Sequence, residues 1–345
     1  MTLAPLSERV AAPAELPLPV HPEVAEWRPI ELADVDAIMR MQRAVDQADH
    51  PHWTTPREDV VDDLEASHLD RERDTLLALD ADGAVLAWGI VSLGPGQDTR
   101  VQSYLFGAVH PEHRRRGIGG ALLEWERARS LQQLASSPKT LPGWSLVYAE
   151  EQNAGLIALA ERSGLRIARY FTEMERRTAD PIPEPAVPDD VRLVPYSAEL
   201  DESTRLARND AFRDHWGSQP TVPERWAQFV GGEHFRPELS WLAVADDEQG
   251  RPRVVALALT TVNEDDWEAR GYPNGYVALI AVVRSRRGQG LAPAVMAAQL
   301  RSFREAGLEA AVLDVDTENP SGALGLYERM GYVAGHRELA LLAEV

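Results

Sequence analysis

The chain has 345 residues, of which 44% are hydrophobic and 26% charged, and its formal net charge is −20 at pH 7. Since one hydrophobic core rarely serves more than about 250–300 residues, we expect two domains. The negative charge argues against a nucleic-acid or membrane-surface partner. The absence of cysteine excludes disulfides, thiolate metal sites and a cysteine nucleophile.

The N-terminal stretch 1–25 is spaced by prolines and has no basic region followed by an apolar core. We therefore interpret it as a flexible arm and not as a secretory signal. No apolar run in the sequence reaches the length of a membrane span. Together these features predict a cytoplasmic protein.

The rest of the sequence consists of two similar halves, separated by a proline-rich linker at 179–190. The arginine–glycine segment that begins at Arg114 recurs at Arg287, an offset of 173 residues (287 − 114). This repetition predicts an internal duplication, with a first domain at 26–178 and a second at 191–345.

Each half is predicted to begin with a helix, over Leu32–Ala48 in the first and Leu200–Phe212 in the second. Two strand-like runs follow, hinged in the first half at Asp82-Gly83. A further strand, Ser103–His110 or Tyr276–Val283, leads into the arginine–glycine turn, and a helix, a strand and a short helix come after it. The order predicts an α/β (α+β) fold: two tandem domains, each with a mixed, mostly antiparallel twisted sheet flanked by helices.

The turn RRRGIGG, from Arg114 to Gly120, places glycines directly before a helix. The first amides of a helix lack partners and, with the helix dipole, attract an anion. Glycine lets the backbone approach a phosphate, and arginine supplies forked donors. The pattern lacks the Gly-Lys-Ser/Thr of a P-loop and the third glycine of the dinucleotide fingerprint. A solvated arginine run is the alternative, but the recurrence of the turn in the second half favours phosphate binding.

The segment VHPEHRRRGIGGALL, which begins at Val109, resembles the acetyl-coenzyme A motif of the GNAT superfamily of N-acetyltransferases. That motif is Val-x-Pro, a short gap, and then Arg/Gln-x-x-Gly-x-Gly/Ala. The second copy carries Arg284 in place of the proline, and its later segment LDVDTENPSGALGLYERMGY is also similar to the family. The tandem layout resembles that of actinobacterial acetyltransferases of the mycothiol synthase type.

The resemblance implies that acetyl-coenzyme A is the acyl donor and that its pyrophosphate lies on the turn. No metal is expected, because the sequence has no His-Glu-x-x-His. A backbone N–H near residues 281–283 would polarise the thioester carbonyl. Asn319 would cap the last helix alone or also contact the cofactor. The cofactor-binding residues implied are Ala281, Val282, Val283, Arg287, Gly288, Gln289, Gly290, Leu291, Ala292 and Asn319 in the second half, and Val109, Arg114, Arg115, Arg116, Gly117, Ile118, Gly119 and Gly120 in the first.

The resemblance also implies a proton donor for the leaving thiolate, because family members commonly use a tyrosine in Y-x-x-x-G on the last helix. In this sequence that residue is Tyr327, and the alternative is that it only packs. Ala160 stands at the aligned position of the first half. We therefore expect the second half to catalyse the reaction, and the first half to bind acetyl-coenzyme A weakly or only to support the fold.

The acceptor is expected to be the primary amine of a small molecule, which attacks the thioester directly. Its general base stays open, because Glu233, Asp214, Asp265 and Asp266 are acidic residues of a kind usually found on solvated surface. The acceptor could be an aminoglycoside-like amine, an amino-acid derivative, a thiol-sugar precursor or a protein terminus, and the acyl group could be longer than acetyl. A monomer or a homodimer is expected.

Two other classes of function compete with an acyltransferase. One is a non-catalytic sensor or scaffold that binds acyl-coenzyme A, which an assay of thiol release would separate. The other is an NAD-dependent oxidoreductase, which the sequence disfavours because it has no Gly-x-Gly-x-x-Gly followed by an acidic residue about twenty positions on.

Overall fold

The computed structural model describes residues 3–318 and 322–345. Their helices are α1 (Leu6–Arg9), α2 (Val35–Asp49), α3 (Arg57–Glu65), α4 (Arg71–Asp74), α5 (Ile118–Ala135), α6 (Ala154–Arg162), α7 (Asp201–Ala211), α8 (Pro223–Gly231), α9 (Asp265–Arg270), α10 (Leu291–Glu305) and α11 (Ala323–Arg329). Their strands are β1 (Glu26–Arg28), β2 (Thr75–Leu79), β3 (Val85–Ser92), β4 (Val101–Val109), β5 (Gly143–Glu150), β6 (Arg166–Arg177), β7 (Val191–Pro195), β8 (Trp241–Asp246), β9 (Pro252–Thr261), β10 (Asn274–Val282), β11 (Ala310–Asp316) and β12 (Val333–Glu344). None of these helices combines the length and the apolar composition of a membrane-spanning segment.

The chain forms two compact units, one of Met1–Tyr170 with Glu338–Val345 and one of Phe171–Arg337. In the first unit the strands lie in the order β1-β2-β3-β4-β5-β12. Neighbouring strands are antiparallel, except that β4 and β5 run parallel on either side of the α5 crossover. This arrangement confirms the mixed, mostly antiparallel sheet that the sequence predicts.

Helices cover both faces of the first sheet. Leu76 of β2 packs with Leu122 of α5, whereas its neighbour Leu77 packs with Ile38 of α2 and Leu64 of α3. Successive side chains of a strand point to opposite faces, so a strand that is buried on both faces is apolar throughout.

The second unit repeats this plan, with strand order β6-β11-β10-β9-β8-β7 and the parallel pair β10–β11. On one face Phe303 of α10 and Tyr327 of α11 pack with Leu313 of β11. On the other face Ala207 of α7 and Trp226 of α8 pack with strand residues that include those of β9. The duplication read from the sequence is thus a duplication of the fold.

The two units divide the chain differently from the continuous domains expected on either side of the 179–190 linker. The part of β6 from Phe171 to Arg177 pairs with β11 in the second unit. The part of β12 from Glu338 to Glu344 pairs with β5 in the first unit. Pairing uses backbone groups that every residue carries, so the side-chain pattern does not reveal which unit a long strand joins.

The N-terminal arm packs on the first unit, in contrast to the flexible arm that its prolines favoured. Leu6 is fully buried and shares a small cluster with Val101 of β4 and Leu134 of α5. Further along, Leu16 and Val24 pack against the α5 side of the core. Burial of these few apolar side chains offsets the loss of chain entropy when the arm is ordered. The sequence did not predict this packing, because isolated leucines among prolines form no periodic pattern.

Candidate active site

In the first unit, the parallel strands β4 and β5 stop pairing before they end. Their last paired residues are Tyr104 and Leu146, although β4 continues to Val109. The N–H of His110 donates to the carbonyl of Leu86 at 2.9 Å, on the β3 side. Since backbone groups alternate between the two sides of a strand, those of Val109 face the gap that opens towards β5. The gap is a slot for an extended ligand that hydrogen-bonds with a strand.

The second unit has the same gap between β10 and β11, whose pairing ends at Tyr276 and Val312. The pairing of β10 with β9 also shifts register between Val277 and Leu279. The N–H of Val283 donates to the carbonyl of Val255 at 2.9 Å. By alternation Ala281 also points towards β9, so Val282 is the residue of the predicted 281–283 segment whose N–H faces the gap.

Both arginine–glycine turns have the same backbone form. Residues 115 and 117 in the first unit, and 288 and 290 in the second, have left-handed φ, with values of 65° at Arg115, 104° at Gly117 and 77° at Gly288 and Gly290. Left-handed residues within a turn direct successive amides into a concave anion-binding nest. For Arg115 this conformation costs roughly 1–2 kcal/mol, a strain that glycine avoids at 288.

The helices begin where the sequence predicts, directly after these glycines. Because the first amides of a helix have no intrahelical acceptor, those of Ile118, Gly119 and Gly120 point out of α5, and those of Leu291 and Ala292 point out of α10. Ile118 and Leu291 bury their side chains, so each has only its backbone to offer a ligand. Gln289 is exposed in the second turn.

The first arginine of each turn is engaged by α2 in the first unit, and by the end of α7 and the residues that follow it in the second. Arg114 forms a bidentate ion pair with Asp49 of α2, with distances of 2.6 and 2.9 Å. Arg287 donates to Asp214 at 3.2 Å and to the carbonyl of Ala211 at 2.7 Å. These arginines therefore fasten the turns to the protein, and this role is distinct from the phosphate contact that the motif suggests.

A segment that precedes each unit's first long helix also contacts the turn. Arg116 pairs with Glu23 at 3.0 Å, and the ring nitrogen Nε2 of His21 lies 2.9 Å from the carbonyl of Arg116. The hydrogen bond from Arg116 lowers the pKa of Glu23. In the second unit Arg286 pairs with Asp190 at 2.8 Å. A diphosphate bound to the first turn would compete with Glu23 for Arg116.

A cavity of about 980 Å³ in the first unit joins the turn to the gap. Residues of the turn and of β4 line it, among them Arg115, Gly119 and Val109. On the α2 side, Trp53 and Tyr148 line the wall. The cavity thus extends from the glycine turn, along the gap, to residues on the opposite face of the sheet.

Glu126 of α5 is a feature of this cavity that the sequence did not reveal. Its side chain is 3% exposed and its Oε1 has no hydrogen-bond partner within the described residues. The carboxyl fills a hollow made by Gly89 and Gly107, which are paired across β3 and β4. Burial raises the pKa of Glu126 well above its ordinary value, because the charged form would lose its hydration. The one feature of the sequence that could have indicated this buried acid is a glutamate on the apolar face of α5.

Tyr327, the predicted proton donor, lies on α11 and is 8% exposed, with its ring centroid 6.0 Å from that of Tyr332. Burial raises the pKa of Tyr327 to about 12, which keeps its hydroxyl protonated at neutral pH. Ala160 of α6 is fully buried in the first unit. Asn319 lies outside the described residues.

The acidic residues considered from the sequence as bases are largely engaged elsewhere. Asp214 pairs with Arg287 and Arg284, and Asp266 accepts a hydrogen bond from Asn263 at 2.9 Å. Within residues 3–318 and 322–345, no three His, Asp or Glu side chains are grouped so that they could hold a metal ion.

Asp314 of β11 is a second residue that sequence reasoning missed. It lies two residues beyond Val312, the last residue of β11 that pairs with β10, and its Oδ2 accepts a hydrogen bond of 2.8 Å from the hydroxyl of Tyr276. Its pKa is raised to about 6, chiefly because the neighbouring strands reduce the hydration of the carboxylate, although the residue itself is exposed. The alternating run AAVLDVD, with aspartates among apolar residues, was its only sequence signal.

The acetyltransferase (GNAT) family model matches residues 38–164 and 202–332, once in each half of the chain. A mycothiol acetyltransferase of Salinispora tropica is 31% identical over 311 residues, which cover 88% of this chain and 90% of that protein. Among solved structures, a GCN5-related N-acetyltransferase from Sphaerobacter thermophilus has a TM-score of 0.67 at 25% identity and covers 92% of this chain and 95% of its own. A tandem GNAT protein from the clavulanic acid biosynthesis pathway has a TM-score of 0.65 at 17% identity, covers 92% and 98%, and shares the fold.

The family match, the parallel strands that separate and the glycine turn before a helix occur in both units. The chain is therefore an N-acetyltransferase that belongs to the acetyltransferase (GNAT) family, with two family domains in tandem.

Proposed function

We propose that the chain transfers an acetyl group from acetyl-coenzyme A to the primary amine of a small molecule, and that the second unit carries out the reaction. The observation that supports this division is the tyrosine. Tyr327 stands on α11 and packs in one cluster with Val277 of β10 and Leu313 of β11, whereas the aligned residue of the first unit is the buried Ala160. Both units keep the phosphate-binding turn, so they differ in the proton donor and not in the means of binding the donor.

The second unit would bind the donor largely through its backbone. The amides of residues 288–292 are directed at the diphosphate, and β10 hydrogen-bonds with the pantetheine arm along the gap. The N–H of Val282, which faces the gap, donates to the thioester carbonyl as charge develops on its oxygen. Tyr327 donates its hydroxyl proton to the sulfur as the C–S bond breaks.

The acceptor is a small molecule with a primary amine. The relatives that match most of the chain are named for mycothiol, so an amine-bearing precursor of that thiol sugar is the first acceptor to test. The acidity of the chain, with a formal charge of −20, attracts a cationic acceptor. We further propose that the protein works in the cytoplasm as a monomer or homodimer, which cell fractionation and light scattering would test.

Two charge substitutions, one in the first turn of α10 and one in the first turn of α5, test which unit reacts. Ala292→Asp and Gly120→Asp each put a carboxylate in the first turn of the helix, where it favours the helix but repels a diphosphate. We expect Ala292→Asp to abolish thiol release with the amine panel and Gly120→Asp to preserve it. Equal losses in the two variants would refute the division of labour.

Tyr327→Phe tests the proton donor, with Tyr332→Phe as the control because that neighbouring tyrosine is also buried and its hydroxyl has no partner in the described residues. We expect the first variant to lose turnover by about 10²-fold with an unchanged KM for acetyl-coenzyme A. The control should keep its turnover. If Tyr327→Phe also kept it, the hydroxyl would be a packing group only.

A further inference from the structure

We propose that Asp314, oriented by Tyr276, is the base that takes a proton from the ammonium group of the acceptor in the second unit. This inference rests on the proposed activity of that unit. Amines are protonated at neutral pH, so a base has to create the nucleophile before it can attack the thioester.

The position of Asp314 in the sheet is the first argument. Its neighbours Leu313 and Val315 pack in the core beneath α10. Alternation therefore places Asp314 on the opposite face, which α7 and α8 cover. It lies just past the point where β10 and β11 separate, so it borders the slot on the side from which an acceptor would approach.

The first unit provides an independent check of this position. Pairing of β4 with β5 ends at Leu146, and the residue two positions further on is Tyr148. Tyr148 lines the 980 Å³ cavity on the face opposite α5. Asp314 occupies the corresponding place in the second unit, two residues beyond Val312. The two copies thus differ in this side chain, a carboxylate in one and a phenol in the other.

Charged and polar groups from three neighbouring elements surround Asp314. From β10, the hydroxyl of Tyr276 donates to it, and from β6, Glu173 is its direct cross-strand partner. From α9, Arg270 pairs with Glu173 at 2.5 Å and approaches Glu175 at 3.6 Å. Loss of hydration raises the pKa of Asp314, the hydrogen bond from Tyr276 lowers it, Glu173 raises it and Arg270 lowers it, with a result of about 6.

A carboxyl with this pKa is mostly ionised at pH 7 and is a stronger base than an ordinary aspartate. Asp314 accepts one proton from the ammonium group, and the free amine then forms the C–N bond as the C–S bond breaks. Tyr327 gives its proton to the sulfur and recovers one, through solvent, from the nitrogen of the new amide. Asp314 releases its proton to solvent, so that one ammonium ion and one thioester yield one amide, one thiol and one proton.

The test is the pH dependence of kcat/KM for the amine, in the wild type and three variants. We expect the wild-type rate to fall as the pH drops below about 6, because protonated Asp314 cannot accept a proton. Asp314→Asn should lower kcat/KM by about 10²-fold and remove this acid limb, while the thermal shift caused by coenzyme A persists. Tyr276→Phe should move the acid limb to higher pH, because the lost hydrogen bond had stabilised the carboxylate. Asp246→Asn, in an exposed ion pair with Arg192, serves as the control and should leave the profile unchanged.

The carboxyl can also be titrated directly by carbon NMR of aspartate-labelled protein, without any substrate. A resonance that titrates near pH 6 in the wild type and is lost in Asp314→Asn supports the proposal; an ordinary aspartate titration overturns it. A wild-type acid limb that persists in Asp314→Asn also overturns it, even where Tyr327→Phe confirms the proposed function. Absence of turnover with the whole amine panel would instead overturn the proposed function, and this inference with it.

Discussion

Glu126 offers a sharp test of the physical chemistry of the first unit. We consider its replacement by glutamine, which keeps the shape of the side chain but cannot ionise. The second unit shows that this helix position tolerates an amide, because the aligned Gln299, also buried, donates from Nε2 to the hydroxyl of Thr260 at 2.6 Å. The substitution should therefore fold and should isolate the effect of the acid.

The expected magnitude follows from linkage. The pKa of Glu126 is raised in the folded state, whereas an unfolded glutamate has a pKa of about 4.3. Between those two values the folded protein keeps the proton and the unfolded protein releases it. The free energy of unfolding thus falls by about 1.4 kcal/mol for each unit of rising pH, and the loss ends at the folded pKa. Below the unfolded pKa both states are protonated and the group has no effect.

The assay is equilibrium urea unfolding of the wild type and Glu126→Gln, at about pH 5 and about pH 7.5. We expect the stability of the variant relative to the wild type to be greater at the higher pH, because the wild type loses stability as the pH rises towards the folded pKa of Glu126. Glu126→Leu, which removes the unpartnered oxygen altogether, should be more stable than the wild type by roughly 1–3 kcal/mol. Parallel pH profiles for the wild type and Glu126→Gln would refute the reasoning, because they would mean that the carboxyl titrates as if hydrated.

Two further predictions concern the same unit. Gly89→Ala would put its Cβ 2.3 Å from Oε1 of Glu126 and 2.9 Å from Leu122. Urea unfolding should therefore show a loss of roughly 1–3 kcal/mol in the free energy of unfolding, and a second substitution, Glu126→Ala, should restore part of it. A Gly89→Ala variant as stable as the wild type would contradict this packing. Glu23→Gln removes the carboxylate that competes for Arg116. In the Ala292→Asp background, in which the second turn is blocked, calorimetry should show that coenzyme A binds about two- to fivefold tighter at low salt, and added salt should erase this gain. An unchanged affinity would mean that Arg116 does not reach the diphosphate.

The order of the elements and the position of the turns could be predicted from the sequence because they depend on local chemistry. Apolar alternation located the strands, and the run AAVLDVD coincides with β11 from Ala310 to Asp316. The glycines at 117 and 290 marked the start of the helices, since left-handed backbone at those positions suits glycine. The repeat itself indicated that the two halves share one fold.

The partners of the polar side chains could not be predicted in this way. Arg114 meets Asp49 and Arg116 meets Glu23 across separations of 65 and 93 residues in the sequence. An arginine that fastens a turn and an arginine that holds a phosphate look the same in a sequence, because both need only a nearby anion.

The sequence by itself determined the fold class, the duplication and the position of the glycine turns, since these follow from periodicity and from the conformational freedom of glycine. Tertiary structure alone decided which unit the ends of β6 and β12 join, where the strands separate, and which carboxyl groups lose their water. The raised pKa values of Glu126 and Asp314 also depend on tertiary structure, because a pKa is set by the groups that surround a side chain in space and not by its neighbours along the chain.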